Sequence, residues 1–314
     1  MSTRTKHAVT GAYGYSGKYI ATRLLKRRRE VVTLTNSPNR PHAFGESVPA
    51  RPLCFDDPQR LAAALADVDT LYNTYWVRFN HKGFQHSEAV HNTLALFAAA
   101  RQAGVRRIVH VSITHSDEHS PLEYFSDKGI LEKALRESGI SHAILRPAVL
   151  FGDEDILINN IAWALRKFPV FGVFGDGSYR LRPIHVDDLA ELAVSSGEQS
   201  EDLTVDAVGP ESFAYRELVE LIGQSIACPR LILNLPPALG YLASRILGCF
   251  VHDVFITREE IQGLMNGLLD VEGPATGNTR LSDWCRNHAD RIGRNYASEL
   301  ARRVDRSAPY LAAP

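Results

Sequence analysis

Four cysteines are all this sequence holds, and Cys54, Cys228, Cys249 and Cys285 lie far apart with no C-x-x-C among them. That spacing suggests neither a disulfide framework nor a zinc site. No charge sign dominates. Lys and Arg number 35 against 36 Asp and Glu, a formal net charge of −1 that gives no electrostatic reason to expect nucleic acid or an anionic membrane as partner. Long apolar runs are missing too. The most apolar, LILNLPPALGYLASRILGCFV, is broken by Pro236, Pro237 and Arg245, so no transmembrane segment is expected. The opening MSTRTKHAVTG runs almost at once into an apolar strand, which leaves no room for a signal peptide, so none is expected. A cytoplasmic globular protein is the expectation, since 45% hydrophobic and 23% charged residues are ordinary values for that class. No repeat, low-complexity tract or linker divides the chain, yet 314 residues are enough for two unequal domains.

What is present is an alternation. Strand-like HAVT (7–10) precedes a helical pattern over about 17–29 with Ile20, Leu24 and Leu25 on one face. VVTLT (31–35), PLCF (52–55) and a helix near 58–66 follow, then TLYNT (70–74) and a long helix over about 86–103 ended by Gly104. RIVHVSIT (107–114), a helix over about 121–138 and HAILR (142–146) complete the series. Short Val- and Ile-rich strands separated by helices predict an α/β fold, a doubly wound parallel sheet. After residue 150 Pro- and Gly-rich turns loosen the rhythm, and the last 80 or so residues read as mainly helical. The expected division is a nucleotide-binding core over 1–180 and a smaller, partly interleaved region over 181–314 on the substrate side.

VTGAYGYSGKYI sets Gly11, Gly14 and Gly17 in G-x-x-G-x-x-G spacing, directly after the first strand and opening the first helix. Such glycines permit a tight turn, close backbone approach to a pyrophosphate, and packing of helix on strand. The helix N-terminus favours the phosphates, so dinucleotide binding is expected.

Further along, SPLEYFSDKG holds Tyr124 and Lys128 one helical turn apart. Ser120 and Glu123 have capping-box spacing and Pro121 suits a first helical position, which places the helix start at 120 and Tyr124 in or just beyond its first turn. Ser112 and Thr114 alternate onto one face at the end of the fifth strand.

In this order, the glycine turn, TLYNT, HVSIT, YFSDK, RPAVLFG (146–152) and IHVDDLA (184–190) resemble the short-chain dehydrogenase/reductase superfamily, in its extended and atypical branches, over about residues 5–225. The resemblance implies a Rossmann fold and an NAD(P)-dependent oxidoreductase acting on a small apolar metabolite. It puts Gly11, Tyr13, Gly14, Tyr15, Ser16, Gly17, Asn73, Thr74 and Pro147 at the cofactor, and Asp56 at the adenine amino group. An exposed helix N-cap is an equal account of Asp56. It also implies that Tyr124 moves the proton, that Lys128 contacts the nicotinamide ribose and favours the phenolate, and that either Ser112 or Thr114 holds the substrate oxygen. A free Tyr has a pKa near ~10, and bringing one to about 7 takes roughly 4 kcal/mol of phenolate stabilisation, which an ammonium, a cationic nicotinamide and a helix N-terminus would share. At the end of the second strand there is no Asp or Glu but Asn36, Ser37 and then Arg40, which favours NADP(H) over NAD(H).

Trp76, Arg78 and Phe79 follow the fourth strand, where a ligand crevice is expected, and are candidates to line a substrate pocket. No metal is expected. His185 lacks a third ligand, and Asp187 or Asp188 would instead cap the following helix. Leu239, Leu242, Ile246 and Leu247 read as the packing face of a helix, or as a lid over a greasy substrate. The extended branch also contains sugar-nucleotide epimerases and dehydratases. The chain resembles as well the NmrA-like redox sensors and the nucleotide-binding accessory-subunit branch of respiratory complex I, where catalysis is absent. By the same analogy, helices 86–103 and 121–138 would pack across a homodimer interface.

Overall fold

The computed structural model describes residues 6–306, so the first five residues of the opening segment that argued against a signal peptide lie outside the described residues. Along the chain run β1 (Lys6–Thr10), α1 (Tyr15–Lys26), β2 (Glu30–Thr35), β3 (Ala50–Pro52), α2 (Pro58–Ala63), β4 (Thr70–Asn73), α3 (His86–Gln102), β5 (Arg107–Val111), α4 (Glu123–Glu137) and β6 (Ser141–Pro147). Then follow β7 (Leu150–Phe151), α5 (Leu157–Lys167), β8 (Val170–Phe174), β9 (Arg180–Leu181), β10 (Ile184–His185), α6 (Val186–Gly197), β11 (Leu203–Ala207), β12 (Phe213–Ala214), α7 (Tyr215–Ser225), β13 (Leu231–Leu235), α8 (Pro237–Val251), α9 (Arg258–Met265), α10 (Leu281–Asn287) and α11 (Glu299–Val304).

Two compact units divide these elements: one comprises the chain up to Pro147 plus Leu189–Asp206, the other Ala148–Asp188 plus the chain from Ala207 onward. In the first unit seven strands form a sheet in the order β11-β6-β5-β4-β1-β2-β3, with parallel pairing from β6 through β3. This is the doubly wound Rossmann-type sheet that the alternation predicts. Strand order reverses between β1 and β4, where such sheets open a ligand crevice at their carboxyl ends. The central strands β1, β4, β5 and β6 are buried on both faces, whereas β3 and β11 at the two edges are only partly buried.

Three boundaries differ from expectation. The third strand lies at Ala50–Pro52, because its partner β2 ends at Thr35, opposite Pro52. The fifth strand ends at Val111, although Ser112 N still donates to Leu145 O at 2.7 Å and Thr114 N to Pro147 O at 3.1 Å. Helix α4 begins at Glu123 with no side-chain cap. Ser120 Oγ instead accepts from Leu122 N at 3.2 Å and closes a turn ahead of the helix, while Glu123 is drawn to Asn80 Nδ2 at 2.7 Å.

The second unit pairs its short strands two by two, β10 with β7, β12 with β9 and β13 with β8, around a core that includes Phe151, Ile158, Leu165, Leu218, Ile222 and Trp284. Helix α8 reverses its expected orientation. Gly240, Ser244 and Gly248 face inward, whereas Leu239, Leu242, Ile246 and Phe250 are 54–79% exposed. The cause is close approach: a Cβ on Gly240 would lie 2.5 Å from the Phe174 ring and one on Gly248 2.6 Å from Asp253 O.

Candidate active site

The glycine turn leaves β1 with Gly11 at φ +67°, a conformation that L side chains rarely adopt, and closes through Gly14 N donating to Gly11 O at 2.8 Å. Helix α1 then packs on the turn so closely that a Cβ at Gly17 would stand 2.4 Å from Gly11 O. The result is a bare backbone cradle at the N-terminus of a twelve-residue helix, which fits a dinucleotide pyrophosphate. Tyr13 forms part of the wall. Its hydroxyl donates to Val48 O at 2.6 Å and its ring stacks on His42 with centroids 3.7 Å apart. Tyr15 and Ser16 are half-buried at the helix start, with the Tyr15 ring edge-on to Tyr19.

Beyond β2, Asn36 is exposed, Ser37 N donates to Thr35 Oγ1, and Arg40 is half-buried in a turn closed on Ser37 O. Asp56 is exposed, and the residue that caps α2 is its neighbour Asp57, accepting from Arg60 N at 3.0 Å. At the switch point the strand ends are pinned together. Thr74 Oγ1 donates to Thr10 O at 2.6 Å, Thr10 Oγ1 accepts from Thr74 N at 2.7 Å, and the buried Asn73 amide meets His110 Nδ1 at 3.1 Å. Burial, with Lys128 adding repulsion, pushes His110 well below the usual histidine range and keeps the network uncharged. Asn73 thus orders the crevice floor from behind.

Tyr124 occupies the second position of α4, and Lys128 follows one turn later. Lys128 is buried, 2% exposed, with Nζ donating to Val111 O at 2.8 Å and lying 4.2 Å from the Trp76 ring centroid. The same indole meets Tyr124 edge to face at 5.7 Å, so Trp76 bridges the two residues. Burial pushes the Lys128 ammonium down to about 7, partly resisted by the Glu132 carboxylate. A buried cation with one carbonyl and one ring as partners is expensive to keep.

Glu132, one turn beyond Lys128, is buried and is the counter-charge that the sequence analysis missed. Burial alone would raise its pKa, but the Arg146 guanidinium, with Ser112 and Ser116, holds it below the usual carboxylate range. Arg146 Nε donates to Oε1 at 2.9 Å and Arg136 Nη2 to Oε2 at 2.7 Å. Ser112 Oγ is close enough to favour that carboxylate without hydrogen-bond geometry to it, and Thr114, two residues on, is fully buried. The i, i+4 spacing of Lys128 and Glu132 is the signal that could have found this residue.

Gly129 explains how α4 is seated: a Cβ there would lie 2.2 Å from Glu118 N and 2.4 Å from Asp117 C. Gly129→Ala is expected to cost about 1–3 kcal/mol through overpacking, despite the better helix propensity of alanine. Thermal unfolding reads this as a lower Tm, and an unchanged Tm would show that the 117–118 loop yields.

Of the other candidates, Phe79 is buried at 2% exposure against Phe84, and Arg78 lies over the Phe79 ring at 5.6 Å. Pro147 is buried at the end of β6. His185 Nδ1 accepts from Asp187 N at 3.3 Å with its ring against Phe151, while Asp188 accepts from Asn278 N and Thr279 N. The HVDD segment is therefore a local tie within the second unit.

Residues 11–164 match a family model described as NAD(P)H-binding. The chain is 26% identical over 250 residues to the mitochondrial NADH dehydrogenase [ubiquinone] 1 alpha subcomplex subunit 9 of Arabidopsis thaliana, covering 76% of this chain and 62% of that relative. It thus spans less than two thirds of that relative's length. Among solved structures, the NADPH-dependent quinone oxidoreductase of Escherichia coli with NADPH superposes with a TM-score of 0.73 at 23% identity, covering 90% of this chain and 99% of that one. A nucleoside-diphosphate-sugar epimerase from Staphylococcus aureus superposes with a TM-score of 0.72 at 16% identity, covering 90% and 100%.

Proposed function

With an NAD(P)H-binding domain of Rossmann type as the premise, we propose that this chain is an oxidoreductase that uses NADP(H) in preference to NAD(H). It would move hydride to or from a carbonyl or alcohol of a small, fairly apolar metabolite. The observation that carries this reading is Lys128, a buried ammonium at a site that already holds Tyr124. A packing role would be served at lower cost by a Met or Leu.

In this reading the Gly11–Gly17 turn and the start of α1 hold the pyrophosphate, with Ser37 and Arg40 towards the adenosine ribose. A nicotinamide held there would supply the hydride chemistry. Tyr124 passes the proton to or from the substrate oxygen, and Lys128 favours the charged form of the phenol. Glu132 keeps Lys128 from losing its own proton altogether, and Arg146 with Arg136 in turn keeps Glu132 ionised. Trp76 covers the Lys128 ammonium with its ring face and meets the half-buried Tyr124 ring edge to face. The absence of an acid after β2 supports NADP(H).

The test is fluorescence titration with NADPH and NADH, followed by a panel of quinones, ketones and aldehydes read by nicotinamide absorbance. Tighter binding of NADPH and substrate-dependent loss of absorbance are expected. Binding with no absorbance change across the panel would contradict the oxidoreductase reading. It would favour a second one, a nucleotide-stabilised accessory subunit. The exposed apolar stripe of α8 supports that alternative, because such stripes mark protein–protein surfaces, and the Arabidopsis relative is named as an alpha-subcomplex subunit of NADH dehydrogenase.

A further inference from the structure

His86, the first residue of α3, is 2% exposed, and neither of its ring nitrogens has a hydrogen-bond partner among the described residues. A neutral imidazole has one donor and one acceptor, so burying both unmet is a double penalty. The ring does not lack neighbours. It stacks on Trp76 with centroids 5.6 Å apart and stands edge-on to Tyr124 at 5.6 Å. What it lacks is anything to take a lone pair.

Two carboxylates stand in front of it. Glu123 and Asp127 are four residues apart on α4 and so share a face. One atom from each, with one ring nitrogen of His86, lie within 4.8 Å of one another, and His86 Nδ1 is 3.9 Å from Glu123 Oε2. Asn80 braces the arrangement from both sides: its Oδ1 accepts from His86 N at 2.7 Å and its Nδ2 donates to Glu123 Oε2 at 2.7 Å. The second bond orients a carboxylate as outer hydrogen bonds orient metal ligands, and the first fixes the backbone at the start of α3.

We propose that His86, Glu123 and Asp127 form a binding site for a divalent first-row cation, zinc being the best fit. Tetrahedral zinc with bonds of about 2.0–2.1 Å places its donors about 3.4 Å apart, so the three groups close on it by small side-chain rotations. One imidazole and two carboxylates exclude a dedicated calcium or magnesium site, since those ions take oxygen alone. Three protein ligands leave a fourth position open to water or an exogenous ligand. A cation there ties the start of α3 to the first five residues of α4, and its imidazole ligand stands edge-on to Tyr124 with ring centroids 5.6 Å apart. The proposal does not rest on hydride chemistry, since the ligands bind whether or not Tyr124 turns anything over.

The experiment is calorimetric titration of chelator-treated full-length protein with zinc chloride, repeated with cobalt(II) chloride and read by visible absorption. The wild type is expected to bind one equivalent in the micromolar range or tighter and to give the intense cobalt bands of a low-coordinate site. Asp127→Asn keeps the shape of a half-buried side chain and is expected to bind at least ~10-fold more weakly. His86→Ala should lose the cobalt bands. Should His86→Ala fail to fold, Asp127→Asn alone decides. Absence of binding below millimolar zinc, or equal affinity in wild type and Asp127→Asn, would overturn the site.

Discussion

Tyr124→Phe is expected to lower turnover by about 10²–10⁴-fold while leaving the Kd for NADPH within about twofold, because the substitution removes one proton-transferring oxygen and nothing from the nucleotide cradle. The cradle is built by Gly11, Gly14 and Gly17 on the turn after β1. The Tyr124 ring packs edge to face on Trp76 and His86, contacts that a phenyl ring preserves, so loss of fold does not explain the effect. Steady-state rates with the best carbonyl substrate and a fluorescence titration check it together. Undiminished turnover with intact binding would remove Tyr124 from the chemistry and point to the accessory-subunit reading.

Lys128→Met is expected to separate activity from stability in opposite directions. Turnover falls, since in the proposed function Lys128 favours the charged form of the Tyr124 phenol. Stability near pH 7 rises by an amount on the order of a few kcal/mol, since the buried ammonium no longer has to be desolvated. The sign follows from linkage. Burial lowers the folded-state pKa of Lys128 from 10.5 to about 7, so between those values the unfolded chain binds more protons than the folded one. Wild-type stability therefore rises with pH across that window and is flat below it, where both states are protonated. The variant loses this slope. Part of the gain is offset because Glu132 loses a favourable neighbour, though Arg146 and Arg136 still hold it. Denaturant unfolding of the nucleotide-free protein at pH 7 and pH 10 reads both effects; a variant less stable than wild type at pH 7 would contradict the buried-cation account.

How much of this was legible in the sequence depended on whether the signal was local. The glycine turn, the alternation of strands and helices, and the Tyr124–Lys128 spacing rest on contacts within a few residues, and each stands where the pattern puts it. The Ser120 cap failed because a tertiary partner intervened. Asn80 engages Glu123, so the carboxylate that should have reached back to the cap is held elsewhere. Helix α8 failed for a different reason. Periodicity locates an apolar stripe but assumes that the stripe faces inward, whereas here Gly240, Ser244 and Gly248 allow the backbone itself to pack. Trp76 was expected against a substrate, and nothing in its own neighbourhood of sequence could place its ring over Lys128, fifty-two positions later. His86 carries no sequence signal at all; its meaning comes from the two carboxylates that α4 brings to it.

The charge state of Lys128 is the most direct point of test. Nitrogen-15 NMR of lysine-labelled protein, with the Lys128 Nζ resonance assigned by its loss in Lys128→Met, follows that group through a pH titration with and without NADP(H). The account predicts a midpoint near pH 7 in the nucleotide-free protein and a clear shift when nucleotide binds. A midpoint near the ordinary lysine value of ~10.4, indifferent to nucleotide, would contradict it.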